Sequence, residues 1–216
     1  MKNPKKSYDE KINIMTLGNS QVGKTSFILR YTEDSFKINY LSTLGIDFIS
    51  KIIQMQNGLT YKINFYDTAG QEKYKSMSLN VIKNADGILL LYDISQQVTF
   101  DSISQWMEDI KNLKEEEFPI LLVGNKCDLT EKRVISKEEG EKLANQYGIS
   151  FFETSCKDGI NIKDAVLELT NQIIKKNKNN FLDDFEIINN SDIIKLDDYK
   201  INRNKKQNCQ CSKDSK

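Results

Sequence analysis

Apolar and polar positions alternate along this chain in two distinct rhythms. Short continuous apolar runs occur at 11–17 (KINIMTL), in GILLLYDI and in PILLVGNK, with SFFETS a further short run near residue 150. Runs of this length, bounded by Gly, Asp or Asn, predict strands covered on both faces. Two more strand patterns, GIDFISKIIQMQ and YKINFY, flank Asn57-Gly58, a strong hairpin signal. Helical spacing governs TSFILRYTED, TFDSISQWMEDIKNLKEE, SKEEGEKLANQYG and NIKDAVLELTNQIIKK. The third of these opens with Ser136 and Glu139, a capping-box pattern. Strands alternating with helices predict an α/β fold: an open, mostly parallel sheet with helices on both faces. Ligands of such sheets bind beyond the carboxyl ends of the strands.

The rhythm fails near residue 178. The segment KNKNNFLDDFEIINNSDIIKLDDYKINRNKKQN is rich in Asn, Asp and Lys, and is expected to be a mostly disordered tail. Phe181, Phe185 and Ile188 keep a helix-face spacing, which leaves a short docking element as the other reading. Residues 1–9 are expected to form an N-terminal extension, 10–177 a single domain, and 178–216 a flexible tail.

Composition narrows the chemistry. The 216 residues are 38% hydrophobic and 29% charged, ordinary for a soluble globular protein. Lys plus Arg and Asp plus Glu both number 31, which argues against a nucleic-acid binder working through a broad basic face. The first residues lack the apolar core of a signal peptide, Lys2 excludes myristoylation, and no apolar run approaches a membrane span. Four cysteines in this length do not make a disulfide framework, and the expected compartment is the reducing cytosol. The chain has no histidine. Ser-His-Asp triads, Cys-His pairs and His-based zinc catalysis are therefore excluded. Chemistry must come from carboxylates, Lys, Gln, hydroxyls, backbone amides or a bound metal.

Three segments supply such groups. Gly18 to Thr25, GNSQVGKT, fits G-x-x-x-x-G-K-[ST] between a predicted strand and a predicted helix. Amides of the loop and of the helix N-terminus would face phosphate oxygens. Gly18, Ser20, Gln21, Val22, Gly23, Lys24, Thr25 and Ser26 are the candidate phosphate-side contacts, with Lys24 on the β- and γ-phosphates and Thr25 on Mg²⁺. Gln21 stands where related loops often have Gly and where a positive φ can be required. The second segment, NKCD, follows the strand PILLVG. Asp128 can accept from guanine N1–H and from the exocyclic amine, a donor pair adenine lacks. Sites of this kind discriminate by about 10⁴ or more. Asn125 can tie the segment to the phosphate loop, and the Lys126 stem can cover one face of the base. Ser155, Cys156 and Lys157, in TSCK, can bring an amide of Cys156 to guanine O6. Cys127 and Cys156 then read most simply as small walls of the base pocket. The third segment is DTAGQEKY. Asp67 can hold Mg²⁺ through water, the Gly70 amide can sense the γ-phosphate, and Gln71 can orient an attacking water. Thr43 can complete the magnesium shell, Phe36 can stack edge-on against guanine, and Tyr40 is a further candidate contact. The candidate catalytic set is Gln71, Lys24, Thr43 and Gly70.

With GNSQVGKT, DTAGQE, NKCD and TSCK in this order, the chain resembles the Ras-like small GTPases over roughly residues 10–177. LGIDF, YDIS and ETSCK make it most similar to the Rab branch. The resemblance implies the small G domain of the P-loop NTPases: a six-stranded sheet with one antiparallel strand, and five main helices. It implies GTP and GDP as ligands with Mg²⁺, and two switch segments near 36–46 and 67–82 that GTP orders and GDP loosens. It implies slow hydrolysis of GTP by a monomer that regulates vesicle traffic. The implied partners are a GTPase-activating protein, a guanine nucleotide exchange factor, GTP-dependent effectors at the switches, a prenylation escort and a GDP-dissociation inhibitor. Three departures stand out: Tyr66 in place of Trp before DTAGQE, Lys73-Tyr74 in place of RF, and VIKNA at 81–85 in place of YYRGA. Two of the three aromatics of the Rab effector patch are thereby changed, and Phe48 is kept.

Cys209 and Cys211 close the chain in a polar setting, in CQC followed by SKDSK. A lipid anchor, a metal pair, a disulfide and idle thiols are the open readings. A structural zinc needs four ligands, usually Cys or His, and a disulfide between residues two apart is strained. The resemblance implies geranylgeranylation of both cysteines, and two lipid chains hold a membrane where one is marginal. From Lys200 onward the sequence holds six basic residues and one acidic residue, Asp214, a balance that suits an anionic membrane surface. The implied place is the cytoplasmic face of an intracellular membrane, in exchange with cytosol. The trailing SKDSK departs from the family pattern, in which CXC sits at the end.

Overall fold

A computed structural model describes residues 7–36, 46–68, 82–114 and 118–188. The first candidate strand is β1, Glu10–Leu17, and the helix after the glycine loop is α1, Lys24–Glu33. Next come β2, Ile46–Gln54, and β3, Thr60–Thr68, then β4, Gly87–Asp93. Two consecutive helices follow, α2 at Gln97–Asp101 and α3 at Ile103–Lys111, with Ser102 between them. β5 spans Ile120–Asn125, α4 Lys137–Tyr147, β6 Ser150–Thr154 and α5 Ile162–Ile188.

The six strands form one sheet in the order β2-β3-β1-β4-β5-β6. Only β2 runs antiparallel to its neighbour. Every residue of β4 and of β5 is buried, as their unbroken apolar runs require of strands with both faces covered. One face packs Phe27 and Ile28 of α1, with Ala165, Val166, Leu169 and Ile173 of α5, against Ile14, Phe65, Leu89 and Val123. The other packs Ile103, Met107 and Ile110 of α3 and Ala144 of α4 against Met15, Leu90, Tyr92 and Leu122. Helices thus lie on both faces, and the fold is the α/β class expected.

Turn chemistry also follows the sequence. At the β2–β3 hairpin the Gly58 amide bonds to Met55 O at 2.9 Å, and Gly58 alone of the turn residues has positive φ, +80°. Asn57 does not, so the connection is a turn ending in a left-handed glycine rather than a two-residue mirror-image turn. In α4 the capping box forms: the Glu139 amide donates to Ser136 Oγ at 3.2 Å, and the Ser136 amide to Glu139 Oε2 at 2.8 Å.

Strand order reverses at β1, which lies between β3 and β4. The register lines up the carboxyl ends of the strands, with Thr16 beside Asp67, Asp93 beside Asn125, and Asn125 beside Thr154. Asp67 and Asn125, both singled out from the sequence, thus share one rim of the sheet, next to the switch point.

The chain divides into two units, Met1–Ile174 and Lys175–Lys216. The last helix runs past residue 178, and its backbone stays helical through Ile188. Among the described residues, no helix is long and apolar enough to cross a membrane.

Candidate functional site

The glycine loop leaves the buried end of β1 and turns into α1. Gly18 has φ +132°, and a Cβ on it would lie 2.1 Å from Leu91 O, so only glycine fits. Gly23 has φ +101° and caps α1, and a Cβ there would lie 2.4 Å from Asn125 Nδ2. Gln21 has φ +64°, the left-handed conformation that its position in the sequence raised as a question. Lys24, 5% exposed, donates from Nζ to Gly18 O at 2.9 Å and Asn19 O at 2.8 Å. Burial pulls its pKa down from 10.5 to about 8, against the nearby Asp67 charge that raises it. An ammonium held against this desolvation, at the N-terminus of a helix, suits an anionic ligand.

Thr25 Oγ1 donates to Asp67 Oδ2, joining the start of α1 to the end of β3. Asp67 is 1% exposed. A hydroxyl and a carboxylate side by side are hard oxygen donors, the set that Mg²⁺ takes beside substrate phosphates and water. These two residues therefore fit the metal assigned to them from sequence.

Asn125, 1% exposed at the end of β5, joins three segments. Its Nδ2 donates to Val22 O of the phosphate loop at 2.8 Å. Its Oδ1 accepts from Thr154 Oγ1 at 3.1 Å and from Cys156 Sγ at 3.4 Å. The phosphate loop and both base-side segments thereby converge on one carboxamide. Asp128 Oδ1 accepts from Ser155 Oγ at 2.6 Å, and Ser155 Oγ in turn accepts from the Asp158 amide at 3.0 Å. Lys126 has φ +67°, and its Nζ is 2.7 Å from Asp93 Oδ2. Lys157 is exposed. Ser20 is exposed, Ser26 half-buried, and Phe36 lies at the rim, 37% exposed. Tyr40, Thr43, Gly70, Gln71, Cys209 and Cys211 lie outside the described residues.

The sequence pattern described as Ras family matches residues 13–175. The chain belongs to the Ras family. Within this family it is Rab-like. Ras-related protein Rab-8 of Diplobatis ommata is 40% identical over 171 residues, 79% of this chain and 81% of that protein. Ras-related protein Rab-13 of Bos taurus is 41% identical, over 79% of this chain and 84% of its own length. Ras-related protein Rab-3 of Caenorhabditis elegans is 42% identical, over 79% and 77%.

Two features of this Ras-family site escape the sequence reading. Asp93, the ion partner of Lys126, ends β4, and Asp67 is the last residue but one of β3; a carboxylate closing a buried apolar run was the available signal. The clamp made by Arg30, whose Nε donates to Cys156 O and Nη2 to Lys157 O, had no signal, since these two partners are 126 and 127 positions away. The two pocket-wall cysteines are free, and both thiols are shifted up by burial, Cys156 to about 12. Thiols held protonated make poor nucleophiles and favour the wall role over a redox one.

Proposed function

We propose that this chain is a guanine-nucleotide switch that binds GTP with Mg²⁺, hydrolyses it slowly to GDP and phosphate, and engages effectors in the GTP state to direct intracellular vesicle traffic. One observation carries the reading: the Asn125 carboxamide bonds Val22 O of the phosphate loop and receives Thr154 and Cys156 of the base side. A single side chain fixes the spacing between the phosphate end and the base end of one ligand.

In this reading Lys24 and the amides of residues 18–26 hold the phosphates, and α1 lends its N-terminal dipole. Asp128, oriented by Ser155, accepts the two guanine donors, and the Cys156 and Lys157 amides take the 6-oxo group. Lys126, drawn to Asp93, lays its stem along the base. Thr25 and Asp67 hold Mg²⁺ together with Thr43. The metal, when bound, offsets charge on the phosphate oxygens. Gln71 orients the attacking water, and the Gly70 amide contacts the terminal phosphate. No arginine stands out in the switch sequences, so an activating protein supplies one in trans, worth about 10³–10⁵ in rate. An exchange factor releases GDP. Residues 10–177 form the switch domain, and 178–216 connect it to prenylated Cys209 and Cys211 at the cytoplasmic face of an intracellular membrane. A prenylation escort and a GDP-dissociation inhibitor handle the lipidated chain.

Timed phosphate release from GTP, with and without an activating protein, tests the reading. Slow basal release that the activator accelerates is expected, with Gln71→Leu remaining GTP-loaded. Asp128→Asn is expected to shift preference to xanthine nucleotides. Normal single-turnover hydrolysis in Gln71→Leu, or an unchanged GTP preference in Asp128→Asn, would overturn the respective assignment. GTP binding without accelerated release would instead favour a GTP-binding module with little turnover, for which left-handed Gln21 is the motivating feature.

A further inference from the structure

Arg30 sits in the last turn of α1, and its guanidinium is spent on a loop distant in sequence. Nε donates to Cys156 O at 2.6 Å and Nη2 to Lys157 O at 2.8 Å. Nη1 donates to Asp34 O at 3.1 Å and to Asp34 Oδ1 at 3.2 Å. Asp34 is left-handed, φ +52°, where α1 ends. One planar fork therefore binds two successive carbonyls of the base-side loop and the cap of the helix that begins at the phosphate loop. A lysine, with a single point charge, cannot reproduce this fork.

The consequence lies in the peptide planes. A trans peptide points its N–H opposite to its carbonyl. Holding Cys156 O toward α1 turns the Lys157 amide to the other side, and holding Lys157 O does the same for the Asp158 amide. The Asp158 amide donates to Ser155 Oγ, and Ser155 Oγ donates to Asp128 Oδ1. The chain of contacts therefore runs from Arg30 through the Lys157–Asp158 peptide plane and Ser155 to the carboxylate assigned to the guanine donors.

We propose that Arg30 is a positioning residue for guanine recognition: by fixing the Cys156–Lys157 plane it aims the Lys157 amide toward the 6-oxo group, and by fixing the Lys157–Asp158 plane it holds Ser155 on Asp128. The inference rests on the guanine-nucleotide reading above. It assigns Arg30 to the base and not to the phosphates, whose contacts lie at the opposite end of α1.

The test measures competition of GDP and of ADP against a fluorescent guanine nucleotide on the full chain, in wild type, Arg30→Ala and Arg30→Lys. Arg30→Ala is expected to weaken GDP about tenfold, equivalent to about 1.4 kcal/mol, and to change ADP by less than about twofold, so the GDP-over-ADP ratio narrows. Arg30→Lys is expected to fall between the two. Equal losses of GDP and ADP would mark Arg30 as a general structural support, and an unchanged ratio would likewise overturn the proposal. Should Arg30→Ala not fold, the ratio in Arg30→Lys decides by the same criterion. A wild-type chain without preference for GDP over ADP would bring down the guanine reading itself. An intact wild-type preference with an unchanged ratio in the variants would bring down only the role of Arg30.

Discussion

Lys24 makes nucleotide binding a proton-linked event with a calculable size. Burial in the protein lowers its pKa from 10.5 to about 8, against the raising effect of Asp67. At pH 7 the ammonium is formed in both free and bound protein, and binding takes up almost no proton. At pH 9 about nine-tenths of the free sites hold neutral Lys24, and a phosphate ligand beside it restores the charge. Binding at pH 9 is then expected to take up nearly one proton, and affinity is expected to fall about tenfold for each pH step above 8. The same shift acts on folding with a definite sign. Between pH 8 and 10.5 the unfolded chain binds the proton that the folded chain has shed, so the stability of the fold rises with pH across that window. The full effect is roughly 3 kcal/mol, present above 10.5 and lost as pH falls through 8. Calorimetric titration with GDP at pH 7 and pH 9, in two buffers of different ionisation heat, reads proton uptake directly. Uptake near zero at pH 9, with binding intact, would refute the link between Lys24 burial and phosphate binding.

Two further substitutions probe the frame around the nucleotide. Asn125→Ala removes three buried hydrogen bonds and strands Val22 O, so about 3 kcal/mol of stability is expected to be lost at roughly 1 kcal/mol per bond; urea unfolding of the GDP-loaded protein measures it, and a loss under about 1 kcal/mol would deny the junction its importance. Gln21→Gly relieves a left-handed non-glycine residue at an expected change within about 1 kcal/mol, because the strain removed and the added freedom of the unfolded chain offset each other. GDP affinity is expected to stay within about threefold in that variant, and a larger drop would make the Gln21 side chain a ligand contact.

The sheet was legible because its central strands are unambiguous. The runs in β4 and β5 admit no polar face, and their burial on both sides follows directly. The phosphate loop was legible because its glycines are forced: Gly18 and Gly23 adopt φ values and close approaches that side chains cannot share. The end of α5 was only partly legible, through the helix-face spacing of Phe181, Phe185 and Ile188. The sequence KKNKNN costs only tenths of a kcal/mol per residue in helix propensity. A helix already nucleated can propagate through such a stretch one bond at a time, and α5 continues to Ile188.

The contacts that escaped the sequence share one property: each joins segments whose proximity the fold creates. Asp93 meets Lys126 because β4 and β5 are parallel neighbours in a register that puts Asp93 beside Asn125. Arg30 meets Cys156 and Lys157 because α1 and the loop after β6 converge at the carboxyl rim of the sheet. Local spacing names the groups that face a ligand, since loop, base segment and switch each keep their chemistry within a few residues. It is silent on the groups that hold those segments at a fixed separation. A ligand with phosphate at one end and a base at the other depends on that separation as much as on the end contacts. In this chain Asn125 sets it through the core, while Arg30 shapes the base end itself. Loss of Asn125 is therefore expected to loosen the two ends of the site relative to each other, whereas loss of Arg30 is expected to disturb the base end and spare the phosphate end.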